Sequence, residues 1–136
     1  MSQLTSLDAN QVIKTVYDPS SGGLSVSASH VGSTALLSSA PGGTSVTSSS
    51  VNILPYKVMG VMVSWSGLNA VDGTVQFQGS VDGTIFANIS TATTLASASG
   101  AQDFGLIDEP YAFIRLVYTH GTNTTGSVTA NYMLRA

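Results

Sequence analysis

Two copies of the triplet Asp-Gly-Thr are the residues in this sequence that first suggest chemistry. They lie in the stretch VDGTVQFQGSVDGTIF, residues 71–86, and place acidic side chains at Asp72 and Asp82. Two carboxylates can bind a metal ion or share acid/base work, but a calcium loop needs about six oxygen ligands and neither triplet has further acids beside it. Asp-Gly between strand-like runs favours a tight turn instead, because glycine accepts positive φ and aspartate bonds the local backbone. We therefore predict structural turns rather than a metal site.

The remaining titratable residues give no catalytic pattern. Asp108 and Glu109 are adjacent, so in a strand they would point to opposite faces, and Pro110 after them favours a loop. His30 and His120 have no further ligand at the short spacings of zinc sites. The serine-hydrolase pattern G-x-S-x-G and the phosphate-binding and dinucleotide-binding glycine motifs are missing from the sequence. We predict no enzyme activity, no cofactor, no bound metal and no small-molecule substrate.

Arg115 is a lone cation in the apolar run from Phe113 to Tyr118. Strand alternation places it on the same face as Phe113 and Val117. Two roles stay open: a buried ion pair, with Asp103 or Asp108 as the partner, or a contact between subunits, where guanidinium groups pair and stack well. The ion pair is the favoured interpretation, and Arg115 is also a candidate partner-binding residue.

The aromatic residues could form a platform on which a sugar ring stacks. A sandwich of this size also needs large side chains for its core, and aromatic residues are frequent there. We favour core positions for Trp65 and for the tyrosines at Tyr56, Tyr111, Tyr118 and Tyr132.

Composition excludes several classes of function. The 136-residue chain has 8% charged residues, a net charge of −3 and no cysteine. Its four cations are scattered, whereas nucleic-acid binding needs them clustered. The longest apolar stretch, LPYKVMGVMVSW, is too short to span a bilayer. The N-terminus lacks the basic start and apolar run of a secretory signal, so synthesis in a cytoplasm is expected. So few charges guard poorly against association, which favours a surface covered by partners.

Residues 51–136 have the pattern of an all-β domain. Short runs such as GTVQFQGSV, AFIRLVYTH and GSVTANYMLRA alternate apolar and polar positions and are separated by turn signals every eight to twelve residues. This spacing is typical of an antiparallel β-sandwich or barrel. We predict an antiparallel, jelly-roll-like sandwich over residues 51–136.

Residues 1–50 are predicted to be an extended N-terminal arm and linker with one or two short strands. A short apolar pattern ends at the stop signal DPSSGG, and LSVSASHV then alternates like a strand. Residues 32–50 are rich in Ser, Gly, Thr and Ala and have little to bury, which is typical of a flexible linker or of an arm that becomes ordered against a neighbour. The arm residues predicted to bind partners are Val12, Ile13, Val16, Tyr17, Leu24 and Val26.

Three segments resemble the small virion proteins of tailed bacteriophages. In that family a W-x-G strand leads to a GTVxxQxSxDGxxF hairpin, as in VSWSGLNAVDGTVQFQGSVDGTIFANI here. The family's IRLVYT strand before a final TxGxhTA strand is similar to YAFIRLVYTHGTNTTGSVTANYM, and LDANQVIKTVYDPSSGGLSVS is similar to the family's N-terminal segment. These motifs cover about two thirds of the chain and are only moderately specific, because most of them are β-sandwich turn patterns.

The resemblance implies a β-sandwich virion protein, either a cement or decoration protein of the capsid or a component of a tail or head fibre. A cement protein binds the outside of the capsid and bridges major capsid subunits, so its expected partners are the major capsid protein and copies of itself, in a virion assembled in the bacterial cytoplasm. The alternative is a fibre module that recognises a glycan or receptor, with exposed Trp65 or tyrosines as its platform. Burial of Trp65 and Tyr118, together with contacts between the N-terminal arm and other subunits, would favour cement.

Overall fold

The computed structural model describes residues 30–136 and, before them, the backbone pairs 17–18 and 23–24. The secondary structure of these residues consists of strands without a helix. No helix in this part of the chain has the length and hydropathy needed to cross a membrane. The strands are β1 (Tyr17–Asp18), β2 (Gly23–Leu24), β3 (His30–Pro41), β4 (Val46–Thr47), β5 (Val51–Asn52), β6 (Val58–Ser66), β7 (Thr74–Ser80), β8 (Ala87–Asn88), β9 (Thr93–Thr94), β10 (Gly100–Ile107), β11 (Phe113–Thr119) and β12 (Ser127–Arg135).

Two antiparallel sheets form a sandwich. The four-stranded sheet has the order β10-β6-β12-β3. In the six-stranded sheet β11 and β7 are central, with the short strands β4 and β5 beside β11 and β8 and β9 beside β7. Strands β1 and β2 pair only with each other. The prediction of an all-β antiparallel sandwich is confirmed.

The strand pairs follow the order of one long hairpin that has been rolled up. Counting inward from the ends, β3 pairs with β12, β4 and β5 pair with β11, β6 pairs with β10, and β7 pairs with β8 and β9. Two further pairings, β6 with β12 and β7 with β11, join these ladders into the two sheets. This is the jelly-roll connectivity, in which two Greek keys close a sandwich.

The core fills the space between the sheets because alternate residues of each strand point inward. Strand β6 shows the pattern most clearly: Met59, Val61, Val63 and Trp65 are buried, whereas the residues between them are more exposed. The other buried hydrophobic residues come from both sheets and their loops: Leu36, Leu37, Ala40, Ile53, Leu68, Val75, Phe77, Leu95, Leu106, Ile114, Leu116, Tyr118, Val128, Ala130 and Leu134.

The prediction of a flexible linker over residues 32–50 is wrong. Residues His30–Pro41 form the longest strand that the structure describes, at the edge of the four-stranded sheet, and Leu36, Leu37 and Ala40 are buried in the core. The composition was a poor guide because serine and threonine form the same backbone hydrogen bonds in a sheet as other residues do. Only three positions of this strand point into the core and needed apolar side chains. The sandwich therefore includes residues from His30 onward rather than from residue 51.

Candidate binding surfaces

The second Asp-Gly-Thr triplet forms the structural turn that the sequence predicted. The Asp82 Oδ1 atom accepts hydrogen bonds from the backbone N–H of Thr84 at 2.8 Å and of Ile85 at 3.0 Å, and from the Ser80 hydroxyl at 2.9 Å. Gly83 has φ of 78°, a conformation that a side chain would strain. The turn follows β7 and leads the chain to Phe86, whose ring contacts the Arg115 guanidinium.

The first triplet does something different, because Asp72 binds a loop far along the chain. Its two carboxylate oxygens accept the Thr122 backbone N–H at 3.0 and 3.1 Å, and Oδ2 also accepts the Thr122 hydroxyl at 2.8 Å. Asp72 therefore connects the loop before β7 to the loop after β11. The prediction of a turn at this triplet is corrected to a link between two loops.

These hydrogen bonds favour the charged form of both carboxyl groups. The backbone and hydroxyl of Thr122 lower the pKa of Asp72 below its ordinary value of 3.8, with a small further effect from His120. The backbone N–H groups of Ile85 and Thr84, with the Ser80 hydroxyl, lower the pKa of Asp82 in the same direction. Neither group has the raised pKa that a general acid near neutral pH needs.

A buried polar network organises the same end of the sandwich as Asp72. Asn123 is fully buried; its Oδ1 accepts the Ala70 N–H at 2.8 Å and its Nδ2 donates to the His120 carbonyl at 2.9 Å. The Tyr118 hydroxyl, also buried, donates to the Gly42 carbonyl at 2.7 Å, and burial raises the pKa of Tyr118 above its ordinary value of 10.0. These hydrogen bonds connect the loops at this end of the sandwich.

No cluster of three or more His, Asp or Glu side chains that could bind a metal occurs among the described residues. Asp72 and Asp82 each bond their own loops, and the ring of His120 bonds the Asn123 carbonyl at 3.1 Å. The polar side chains that first suggested chemistry thus have structural partners.

The largest aromatic residues belong to the core. Trp65 is 8% exposed and its Nε1–H donates to the Ser97 carbonyl at 3.0 Å, while Tyr118 is fully buried. Tyr56, Tyr111 and Tyr132 are half-buried and pack against the core. The favoured prediction of core positions is confirmed, and the exposed platform of Trp65 and tyrosines is not formed.

Arg115 does not make the predicted ion pair with Asp103 or Asp108. Arg115 is on β11 in the six-stranded sheet, whereas Asp103 is on β10 in the other sheet and Asp108 follows that strand. The Arg115 Nε–H donates instead to Gln78 Oε1 at 2.8 Å, because Gln78 is its register partner on β7. Strand alternation gave the correct face, but sequence could not show which strand would lie beside it.

Two further contacts hold the Arg115 guanidinium in place. Its Cζ atom lies 3.9 Å from the centre of the Phe86 ring, a cation–π contact. Gln78 is itself held, because its Nε2 donates to Asn88 Oδ1 at 2.9 Å. Phe113 and Val117, half-buried, flank Arg115 on the same strand and face. We call Phe86, Phe113, Arg115 and Val117 the arginine face.

The outer face of the four-stranded sheet carries a groove of about 440 Å³. Met62 and Met133 are 47% and 40% exposed there; the Met133 side chain lies against Gly60, and Gly105, the register partner of Gly60, has open space beside it. A Cβ atom added at Gly105 would meet no atom within 4 Å. The groove is lined by His30, Val31, Gly32, Ser33, Gly60, Val61, Met62, Asp103, Phe104, Asn131, Tyr132 and Met133. We call it the methionine groove.

Neither the groove nor the contact of Phe86 with Arg115 was predicted from the sequence. A signal for the groove was present, since alternation along β6 and β12 puts Met62 and Met133 outside once the inward positions are assigned. No local signal marks Phe86, because its position depends on the Asp82 turn and on which strand accepts the loop.

Most of the predicted arm residues lie outside the described part of the chain. This applies to Val12, Ile13, Val16 and Val26. Tyr17 and Leu24 are register partners in the two-stranded ladder of β1 and β2. Their partner-binding role stays a prediction.

Comparisons with known proteins show similarity in fold but no family. No protein-family model matches the sequence, and no curated protein matches it. A protein of the T13 particle of infectious bursal disease virus superposes with a TM-score of 0.51 at 15% identity, covering 83% of this chain and 33% of the viral chain. The chain thus spans about a third of that protein's length.

Other structures are similar at lower TM-scores. Chitosan-binding module 1 of a Paenibacillus sp. IK-5 chitosanase/glucanase has a TM-score of 0.43 and 17% identity, covering 74% of each chain. A protein of Bacillus endospore appendages has a TM-score of 0.43 and 11% identity, covering 84% of this chain and 97% of its own. The chain is thus an all-β jelly-roll sandwich, and its fold is similar to that of part of a viral particle protein.

Proposed function

We propose that this chain is a structural protein of a tailed-bacteriophage virion, which binds the outside of the capsid as cement and bridges major capsid subunits. The observation that carries the proposal is that the titratable side chains and the exposed apolar side chains have separate roles. Titratable side chains such as Asp72 and Asp82 hold loops, while Met62, Met133 and Ile107 are exposed on one sheet face. A molecule built this way offers contact surface rather than reactive groups.

Three other features support the proposal. The jelly-roll sandwich is an architecture used by viral capsid domains. Charged residues make up only 8% of the chain, so contacts can be made without desolvating many ions. The sequence resembles small virion proteins of tailed phages in its strand and turn motifs.

The alternative, a fibre module that binds a glycan, has less support. It required an exposed row of aromatic side chains, whereas Trp65 and Tyr118 are buried. A chitosan-binding module is among the similar structures, but at 17% identity that likeness concerns the fold.

The proposed bridge is the N-terminal arm, whose apolar residues would lie across neighbouring subunits. Replacing Val12, Ile13 and Val16 by serine should lower the occupancy of the protein on purified phage particles, because burial of these side chains would drive attachment. The matched control replaces Thr5, Ser6 and Asn10 by alanine in the same segment and should leave occupancy unchanged. Occupancy is measured by quantitative mass spectrometry and electron cryomicroscopy of particles from the phage that encodes the chain.

Circular dichroism of the purified variants should show an unchanged β spectrum, since the described sandwich begins at His30. Normal occupancy of the serine variant would remove the bridging role from the arm. A protein missing from purified particles, or found on the tail alone, would overturn the cement function.

A further inference from the structure

Arg115 is held in one position without a counter-ion among the described residues. Its guanidinium is restrained by Gln78 and by the Phe86 ring, and both restraining groups are themselves held, by Asn88 and by the Asp82 turn. The two terminal Nη groups donate to no acceptor within residues 30–136. A long cation normally keeps its rotational freedom at a surface, and fixing it in advance reduces the cost of binding a carboxylate.

The surroundings of Arg115 favour a protein partner over a dissolved anion. Phe113 and Val117 flank it on the same strand face and are half-buried, and the Phe86 ring covers the guanidinium, so the cation has apolar neighbours along its own strand and polar ones, such as Gln78, on β7. Interface cores are rich in arginine and aromatic residues arranged in this manner.

The methionine groove has the complementary properties. Asp103 lies on its wall next to Met62, its register partner on β6, and is exposed. Within the described residues the Asp103 carboxylate accepts no hydrogen bond and forms no ion pair. Methionine side chains pack well against aromatic rings, and there is open space beside Gly105.

We propose that the methionine groove of one copy of this chain receives the arginine face of a second copy, with Arg115 paired to Asp103 of the partner subunit. The two surfaces lie on the outer faces of opposite sheets, so one copy can use both at once. Such a contact is heterologous, and it extends into a row or closes into a ring according to the rotation between copies. The proposal concerns the isolated chain and does not depend on attachment to a particle.

Charge reversal tests the pairing in purified full-length protein by sedimentation velocity over a concentration series. The wild type should show a mass that rises with concentration. Arg115→Asp and Asp103→Arg should each weaken self-association by about tenfold or more, because each places like charges together. The double variant should regain association, and an equimolar mixture of the two single variants should form mixed assemblies.

Two controls separate the pairing from general effects of charge and folding. Asp108→Arg makes the same change of charge just after β10, outside the groove lining, and should leave association unchanged. Gly105→Phe should weaken association by placing a ring beside Gly60 at the edge of the groove, and its Cβ atom would meet no atom within 4 Å. Circular dichroism checks that each variant is folded. If Arg115→Asp does not fold, the effect of Asp103→Arg on self-association tests the pairing by itself.

A wild type that stays monomeric at every concentration would overturn the proposal. So would a folded double variant that does not regain association, or an Asp108→Arg variant that loses it equally. Because no capsid is present in these measurements, their failure leaves the proposed virion function standing, and failure of particle attachment leaves the pairing standing.

Discussion

At the residue scale, two identical triplets have two different roles. Asp82 bonds Ser80, Thr84 and Ile85 within its own turn, which places Phe86 against Arg115, whereas Asp72 bonds Thr122 in a distant loop. The local role was predictable, because Asp-Gly turn chemistry is encoded within four residues. The distant role was not, because it depends on which loops the strand order brings together.

Asparagine substitution should separate the two aspartates. Asp82 uses only Oδ1 as an acceptor, and the neutral Asn Oδ1 atom can occupy that place, so Asp82→Asn should lower the unfolding temperature only slightly. Asp72 uses both oxygens, so Asp72→Asn should lower it. Thermal unfolding followed by circular dichroism at pH 7 measures both. Equal loss in the two variants would contradict the assignment.

Acidification should act on both carboxylates in the wild type. Their pKa values are lowered in the folded protein below the ordinary value of 3.8. The free energy of unfolding that they contribute is therefore present above pH 3.8, and it is lost as the pH falls through the pKa values of the folded state.

Tyr118 should set an alkaline limit on stability. Its pKa is raised by burial first and by the charge of Asp72 second, so its contribution is present below pH 10.0 and is lost as pH rises through the higher folded value. Tyr118→Phe should cost about 1–3 kcal/mol at neutral pH, because the buried Gly42 carbonyl loses its donor. It should also remove part of the loss of stability above pH 10. Denaturant unfolding at several pH values measures both effects, with the half-buried Tyr132→Phe as control.

At the scale of elements, β3 shows where sequence patterns reached their limit. Strong alternation predicted the strands around Val75, Leu116 and Val128, which lie at the centres of the sheets. Strand β3 carries only a few inward apolar residues among serines and threonines, and register shifts against β12 break its alternation. An edge strand with bulges has a weak periodic signal, so composition suggested a linker.

Leu37 tests whether β3 is part of the folded body. Its side chain is 5% exposed, so Leu37→Ala should destabilise the protein by about 2–5 kcal/mol through lost burial and the cavity left behind. The adjacent exposed residue provides the control, since Ser38→Ala should change stability by less than about 0.5 kcal/mol. Urea unfolding curves measure both. If Leu37→Ala left the free energy of unfolding unchanged, β3 would not be part of the folded core, and the interpretation as a linker would be correct.

At the scale of the whole molecule, fold class could be predicted and connectivity could not. Turn spacing and alternation indicated an antiparallel sandwich, but the pairing of β3 with β12 and of β6 with β10 joins residues far apart in the chain. The same limit applies to the binding surfaces. That Arg115 shares a face with Phe113 and Val117 followed from strand alternation, whereas its bond to Gln78 and its separation from Asp103 follow from the order of strands.

The rolled hairpin should unfold as one cooperative unit. Most strand pairs of the sandwich join distant parts of the chain, and the two sheets share one core, so neither sheet keeps its buried face if the other opens. Fluorescence of Trp65, which is in the four-stranded sheet, and far-ultraviolet circular dichroism, which reports both sheets, should give the same urea midpoint. The slope should be roughly 1–3 kcal/mol per molar urea. Two separated midpoints would show that the sheets unfold independently, and the groove and the arginine face could then not be treated as opposite sides of one rigid body.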